Sequence, residues 1–273
     1  MAIRLIALDL DGTLLTSDKR ITPATKRALE SCIERGVRIV IATGRNIADI
    51  PKEIKEISGL RYAIAINGAM VADLETGEML LRRSIFWKDA LQIIDMLRSY
   101  PAMYDAYIEG LGKTELRFCE TLDQYIPNLT TRSLVRRSRD GIPDMYEYIA
   151  KHQSIVDKIN VTFKDEQTKE QVHGQLLNMK QIVITSSVPN NLELNFHEAT
   201  KGSGLSFLTN YLHLKKEETM ACGDEGNDLA MLKQAGIGVA MGNGADFVKQ
   251  QADFVTTSND EDGVAAVIQR FVL

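Results

Sequence analysis

Two aspartates one residue apart, Asp9 and Asp11, stand in the run Asp9-Leu10-Asp11-Gly12-Thr13 behind an apolar segment. Side chains alternate along a strand, so both carboxylates can point the same way from its end. Like charges that close cost energy unless a cation lies between them or one holds a proton, and either arrangement is useful to a reaction. A plain Asp-Gly turn after a buried strand is the competing interpretation. A second acidic run, Gly223-Asp224-Glu225-Gly226-Asn227-Asp228, also follows an apolar segment and opens a helix. Hard cations such as magnesium take carboxylate oxygens and water, so Asp224, Asp9 and a backbone oxygen near Asp11 make a candidate metal site. Asn227 or Asp228 equally suits a helix cap.

Three weaker signals accompany these. In Thr43-Gly44-Arg45 a hydroxyl and the N–H groups of a glycine turn can cradle phosphate oxygens, or the residues simply turn the chain. Lys201 in Lys201-Gly202-Ser203-Gly204 can hold negative charge, or be a solvated surface lysine. Asn67-Gly68 reads as an ordinary turn pair.

These groups need a scaffold that brings them together. Residues 3–10, 37–42, 62–66, 219–222, 238–241 and 253–256 are short, nearly continuous apolar runs, the pattern of parallel strands covered on both faces. A helix is expected over 23–35, with Thr22 as N-cap, Pro23 at the first position and Gly36 past the end, and another near 260–271. Strand, helix and strand in alternation give an α/β fold with a doubly wound parallel sheet, whose carboxyl-end edge collects ligands. Residues 84–188 differ, with alternating strands such as 158–163 and 181–185 beside helices such as 87–98. The expected organisation is a Rossmann-like core from 1–83 and 189–273, with a smaller α+β domain, 84–188, inserted in it.

Asp9-Leu10-Asp11-Gly12-Thr13, Thr43, Lys201 and Gly223-Asp224 through Asp228 resemble, in order and spacing, the four motifs of the haloacid dehalogenase superfamily. The insert between Thr43 and Lys201, preceded by Ile66-Asn67-Gly68-Ala69, resembles the Cof-like phosphatases, whose α+β cap lies between the second and third motifs. The resemblance covers essentially the whole chain. It implies that Asp9 attacks phosphorus to form an aspartyl-phosphate and that Asp11 acts as general acid and then base. It further implies that Asp9, Asp11 and Asp224 hold Mg2+, with Asp228 orienting the site from further out, and that Leu10, Thr43, Gly44, Lys201 and Asn227 bind the phosphoryl group. The cap would supply much of the substrate contact. Within it, Arg132, Arg136, Arg137 and Arg139 either meet a carboxylate or second phosphate or form a solvated face.

The expected activity is therefore magnesium-dependent hydrolysis of sugar phosphates or other small phosphorylated metabolites. A phosphomutase using the same intermediate and a non-catalytic binder of phosphorylated metabolites are the alternatives. Composition agrees with a globular protein: of 273 residues, 44% are apolar and 25% charged. Asp and Glu (37) outnumber Lys and Arg (32), a net charge of −5 that disfavours nucleic acid as a partner. Three separated cysteines without a Cys-x-x-Cys pair fit a reducing compartment. The apolar run at the N-terminus is too short for a signal peptide or a membrane span, so the expected location is the cytoplasm and no membrane partner is expected.

Overall fold

The computed structural model describes residues 2–273. The chain forms two compact units, one comprising the chain up to Arg82 together with Thr200–Leu273, the other Arg83–Ala199.

In the first unit an eight-stranded sheet has the order Phe254–Val255, Ile237–Ala240, Thr219–Gly223, Leu5–Leu8, Arg38–Ala42, Tyr62–Ala65, Met70–Asp73, Met79–Arg82. The first six strands are parallel, and Met70–Asp73 then pairs antiparallel with Tyr62–Ala65 on one side and Met79–Arg82 on the other. Leu5–Leu8 is buried throughout, and its side chains divide between two cores. Ile6 and Leu8 join Leu29 and Cys32 of helix Pro23–Glu34 and Val264, Val267 and Ile268 of helix Gly263–Phe271. Leu5 and Ala7 join Leu205 and Leu208 of helix Lys201–Tyr211 and Met231 and Leu232 of Leu229–Gln234 on the other face. Each fully buried leucine or isoleucine contributes about 1.5–3 kcal/mol, so covering on both faces anchors this strand firmly. Helix Pro23–Glu34 begins as its sequence suggests: the Thr22 side chain accepts a 3.1 Å hydrogen bond from the Thr25 N–H, and Pro23 occupies the first turn.

The sequence does not announce the antiparallel pair Met70–Asp73 and Met79–Arg82. The outer strand is only four residues long and partly exposed, with Met79 and Arg82 facing solvent, so its apolar run is too short to mark a strand. The turn between them is held by the Asp73 carboxylate, which accepts from the N–H groups of Glu75 and Thr76.

The second unit is a six-stranded sheet ordered Ile182–Thr185, Asn191–Phe196, Val156–Phe163, Ala102–Ile108, Leu111–Glu115, Arg139–Ile142, antiparallel except for the last pair. On one face Tyr104, Ala106, Ile159, Val161, Leu192 and Leu194 pack with apolar residues of four helices, Trp87–Leu97, Leu116–Tyr125, Met145–His152 and Glu166–Leu176. Strand alternation puts Asp105, Tyr107, Lys158, Asn160 and Glu193 on the other.

One expected boundary differs. A core resuming at 189 would cut the strand Asn191–Phe196 from its partners, yet it pairs with both Val156–Phe163 and Ile182–Thr185, and the break lies between Ala199 and Thr200. The strand's alternation was outweighed in the sequence by its short, amide-rich composition, Asn-Leu-Glu-Leu-Asn-Phe. The arginine cluster also divides. Arg139 is an ion-paired strand residue, its Nε 2.7 Å from Asp105 Oδ1, whereas Arg132, Arg136 and Arg137 lie on the separate helix Leu129–Ser138.

Candidate active site

Parallel register brings the acidic runs to one edge of the core sheet. Leu8 is level with Cys222 on one side and Ile41 on the other, so Asp9, Asp224 and Thr43 all emerge just beyond the same ends. All three are buried. Leu10 packs into the core, leaving only its backbone for a ligand. Gly12 has φ +86°, and a Cβ there would run into the Asp224 carboxylate. The turn can therefore approach that acid only because it lacks a side chain.

Lys201 begins its helix behind the Thr200 cap and is 1% exposed. Its ammonium is hydrogen-bonded to Asp9 Oδ1 at 2.7 Å and to Asp228 Oδ1 at 2.6 Å. Burial opposes that charge, but Asp228 and then Asp9 outweigh it, so the lysine titrates well above its usual range. Asp228 in turn accepts from the N–H groups of Asp224 (2.9 Å) and Glu225 (3.0 Å), fixing the loop after Thr219–Gly223. Thr13 donates to Asp224 Oδ1 at 2.8 Å.

Oxygens of Asp9, Asp224 and Asp228 lie within 4.8 Å of one another. Burial, and then the neighbouring acids against the pull of Lys201, push the Asp9 carboxyl well above the usual range. Burial and then Asp228 lift Asp224 to about 7. Buried carboxylates with too little positive charge among them fit a hard divalent cation, which prefers such oxygens. Asp228 completes this cluster of oxygens, but both of its own are already engaged, one by Lys201 and the other by the Asp224 and Glu225 N–H groups.

Asp11 is held elsewhere. Its carboxylate accepts a forked pair of 2.7 Å bonds from Nε and Nη2 of Arg45 and a 2.7 Å bond from Lys19. Burial raises this carboxyl, but the bonds and charge of Arg45, followed by Lys19, outweigh it and hold it below the usual range. A fourth carboxylate thus sits beside the trio, ionised and fixed in orientation. Arg45 follows Thr43-Gly44 directly, so its nearness to Asp11 was within reach of the sequence. Lys19 sits in a loop at φ +62° and carries no such signal.

Thr43 Oγ1 accepts from the Arg45 N–H at 3.1 Å, and Gly44 lies between them. Asn227 donates through Nδ2 to Asn67 Oδ1 at 3.2 Å. Asn243, which the sequence does not mark, donates to the Gly12 carbonyl (2.8 Å) and accepts from the Asn259 N–H (2.9 Å), bracing the turn beside Asp11.

The raised acids make the stability of the metal-free protein depend on pH. In the unfolded chain Asp9 and Asp224 ionise near pH 4, whereas in the fold Asp224 keeps its proton to about 7. Over that window the folded state binds more protons, so these two groups lower stability as pH rises. A cation that needs ionised ligands opposes this. Melting temperatures between pH 5 and 8, in magnesium and in chelator, are expected to show a gap that widens towards pH 7–8. A gap constant over that range would count against metal at these acids.

The haloacid dehalogenase-like hydrolase family model matches residues 6–268. The chain is 31% identical over 271 residues to a 5-amino-6-(5-phospho-D-ribitylamino)uracil phosphatase of Bacillus subtilis, covering 99% of this chain and 96% of that protein. A solved haloacid dehalogenase-like hydrolase from the same species superposes with a TM-score of 0.87 at 30% identity, over 99% of this chain and 100% of the other. A subclass IIB sugar phosphatase superposes at 0.82 with 25% identity, each chain covered to 98%.

Proposed function

The chain belongs to the haloacid dehalogenase-like hydrolase family and is a phosphatase-type hydrolase, and we propose that it releases phosphate from sugar phosphates and related polyol phosphates through transient phosphorylation of Asp9, with Mg2+ as cofactor. The observation that carries this is the buried Asp9, flanked by Lys201, Asp224 and Asp228, with a separately clamped Asp11 alongside.

Asp9 is the nucleophile: a carboxylate oxygen bonds to phosphorus as the bond from phosphorus to the alcohol oxygen breaks. Asp11, ionised in the free site, takes up a proton as the anionic ester binds beside it and gives that proton to the departing alcohol. Water then attacks phosphorus, losing a proton to Asp11 and freeing Asp9 as phosphate leaves. Lys201, Thr43, Gly44, Asn227 and the Leu10 backbone bind the phosphoryl oxygens. Asp9, Asp224 and a backbone oxygen near Asp11 would hold the metal, with Asp228 orienting the site through its bonds to Lys201 and the Asp224 N–H. When bound, the cation supplies charge that offsets repulsion between Asp9 and the phosphate. Arg45 and Lys19 keep Asp11 in place between its two proton transfers.

The substrate class rests on the similarity to the ribitylaminouracil phosphate and sugar phosphate phosphatases. The test is phosphate release from a panel of sugar and polyol phosphates in magnesium or in chelator. Release that stops in chelator and returns with magnesium is expected. An isomerised ester without free phosphate would replace hydrolysis by a mutase reaction.

A further inference from the structure

Three consecutive residues after strand Tyr62–Ala65 have positive φ: Ile66 at +49°, Asn67 at +56° and Gly68 at +96°. Glycine takes such angles freely and asparagine tolerates them, but a β-branched residue does so only where its surroundings hold it there. Here they do. The Ile66 N–H donates to the Arg45 carbonyl (2.9 Å) and the Asn67 N–H to the Thr43 carbonyl (3.0 Å). The Ile66 side chain is fully buried. A Cβ on Gly68 would collide with the backbone of Thr200, the residue before Lys201. The turn is thus wedged between the Thr43–Arg45 loop and the start of helix Lys201–Tyr211, and it presents the buried Asn67 carboxamide to Asn227.

Resting on the proposed phosphate-binding roles of Thr43 and Asn227, we propose that Asn67 is a positioning residue for the phosphoryl site. A carboxamide nitrogen carries two N–H groups in one plane. Asn67 Oδ1 takes one from Asn227, which sets the plane and so aims the other. Without that partner the Asn227 amide has a broad, two-fold range of torsion, and ordering it would oppose binding. The backbone of Asn67 meanwhile ties down Thr43, so one strained residue registers two strand ends against each other. Asparagine suits the place because it combines tolerance of left-handed backbone with a side-chain acceptor; glycine offers only the first.

That difference gives the test. Asn67→Gly keeps the backbone and deletes the amide, Asn67→Ala deletes the amide and adds strain, and Asn227→Ala removes the group acted upon. The readouts are KM, kcat and the inhibition constant of inorganic phosphate in magnesium, with melting temperature as a check on folding. Asn67→Gly is expected to melt close to wild type while KM and the phosphate inhibition constant rise about three- to tenfold, kcat changing less. Asn67→Ala shows the same rise with a lower melting temperature. The Asn67→Gly/Asn227→Ala double variant is expected to bind phosphate no worse than Asn227→Ala alone, because Asn67 acts through Asn227. Wild-type phosphate affinity in Asn67→Gly, or additive losses in the double variant, would overturn the positioning role while leaving phosphate binding by Asn227 intact. Wild-type affinity in Asn227→Ala would overturn that role first, and the positioning role with it.

Discussion

Lys201→Met is expected to destabilise the protein in chelator by about 3–5 kcal/mol, the range for breaking a buried ion pair by removing one partner. The length and flexibility of methionine nearly fill the space, so the loss reflects charge more than packing. Lys201 is hydrogen-bonded to Asp9 and Asp228, and Asp224 lies beside them. Without the ammonium these three acids face one another in a buried site. Magnesium is expected to restore part of the stability, because a ligand held only by the folded state stabilises it by mass action. Lowering the pH towards 5 should also help, since protonation relieves the same repulsion. Urea denaturation at pH 7 and pH 5, with magnesium and with chelator, separates these contributions. A variant as stable as wild type in chelator at pH 7 would sink the idea that Lys201 neutralises the trio. Equal destabilisation with and without magnesium would deny the metal its place there.

The same lysine shows what the sequence makes legible. By type alone it belongs on the surface, and only the coincidence of several strand ends bearing acids, a hydroxyl and a lysine argues for a shared edge. The parallel strands were legible because burial on both faces leaves an unbroken apolar run, as in Leu5–Leu8. The outermost strand Met79–Arg82 was not, since four half-exposed residues at a sheet edge leave too short a pattern to read. Asn191–Phe196 was missed because a strand with one polar face has only three apolar residues in six. Within the site, residues next to a motif were within reach: Thr13 closes the first acidic run and Arg45 follows Thr43-Gly44. Lys19 and Asn243 were not, because each reaches the Asp11-Gly12 turn through loop geometry that no periodicity encodes. Asn67 reads as half of a turn pair. Its use as a hydrogen-bond partner of Asn227, 160 residues away in the chain, depends on the sheet order.

Asp9→Asn and Asp11→Asn are expected to fail in different ways. The amide at position 9 is nearly isosteric and not a nucleophile, so phosphate release should fall by about four orders of magnitude or more with every substrate. Asp11→Asn leaves the nucleophile in place and removes the group that carries protons. An alkyl phosphate needs its departing alkoxide protonated, so its turnover should fall by about 10²–10⁴-fold. A p-nitrophenyl phosphate does not, because p-nitrophenolate is stable without a proton. Its first step should survive the substitution while hydrolysis of phospho-Asp9 slows. Rapid mixing should then show a burst of nitrophenolate approaching one equivalent per active site, followed by slow turnover. The forked Arg45 contact to Asp11 bears on the same readout: if the arginine holds Asp11 at the leaving group, Arg45→Ala should also impair alkyl esters more than the nitrophenyl ester. Wild-type turnover by Asp9→Asn would remove the covalent mechanism. Equal losses on both esters without a burst in Asp11→Asn would remove Asp11 as the proton carrier, leaving Asp9 untouched.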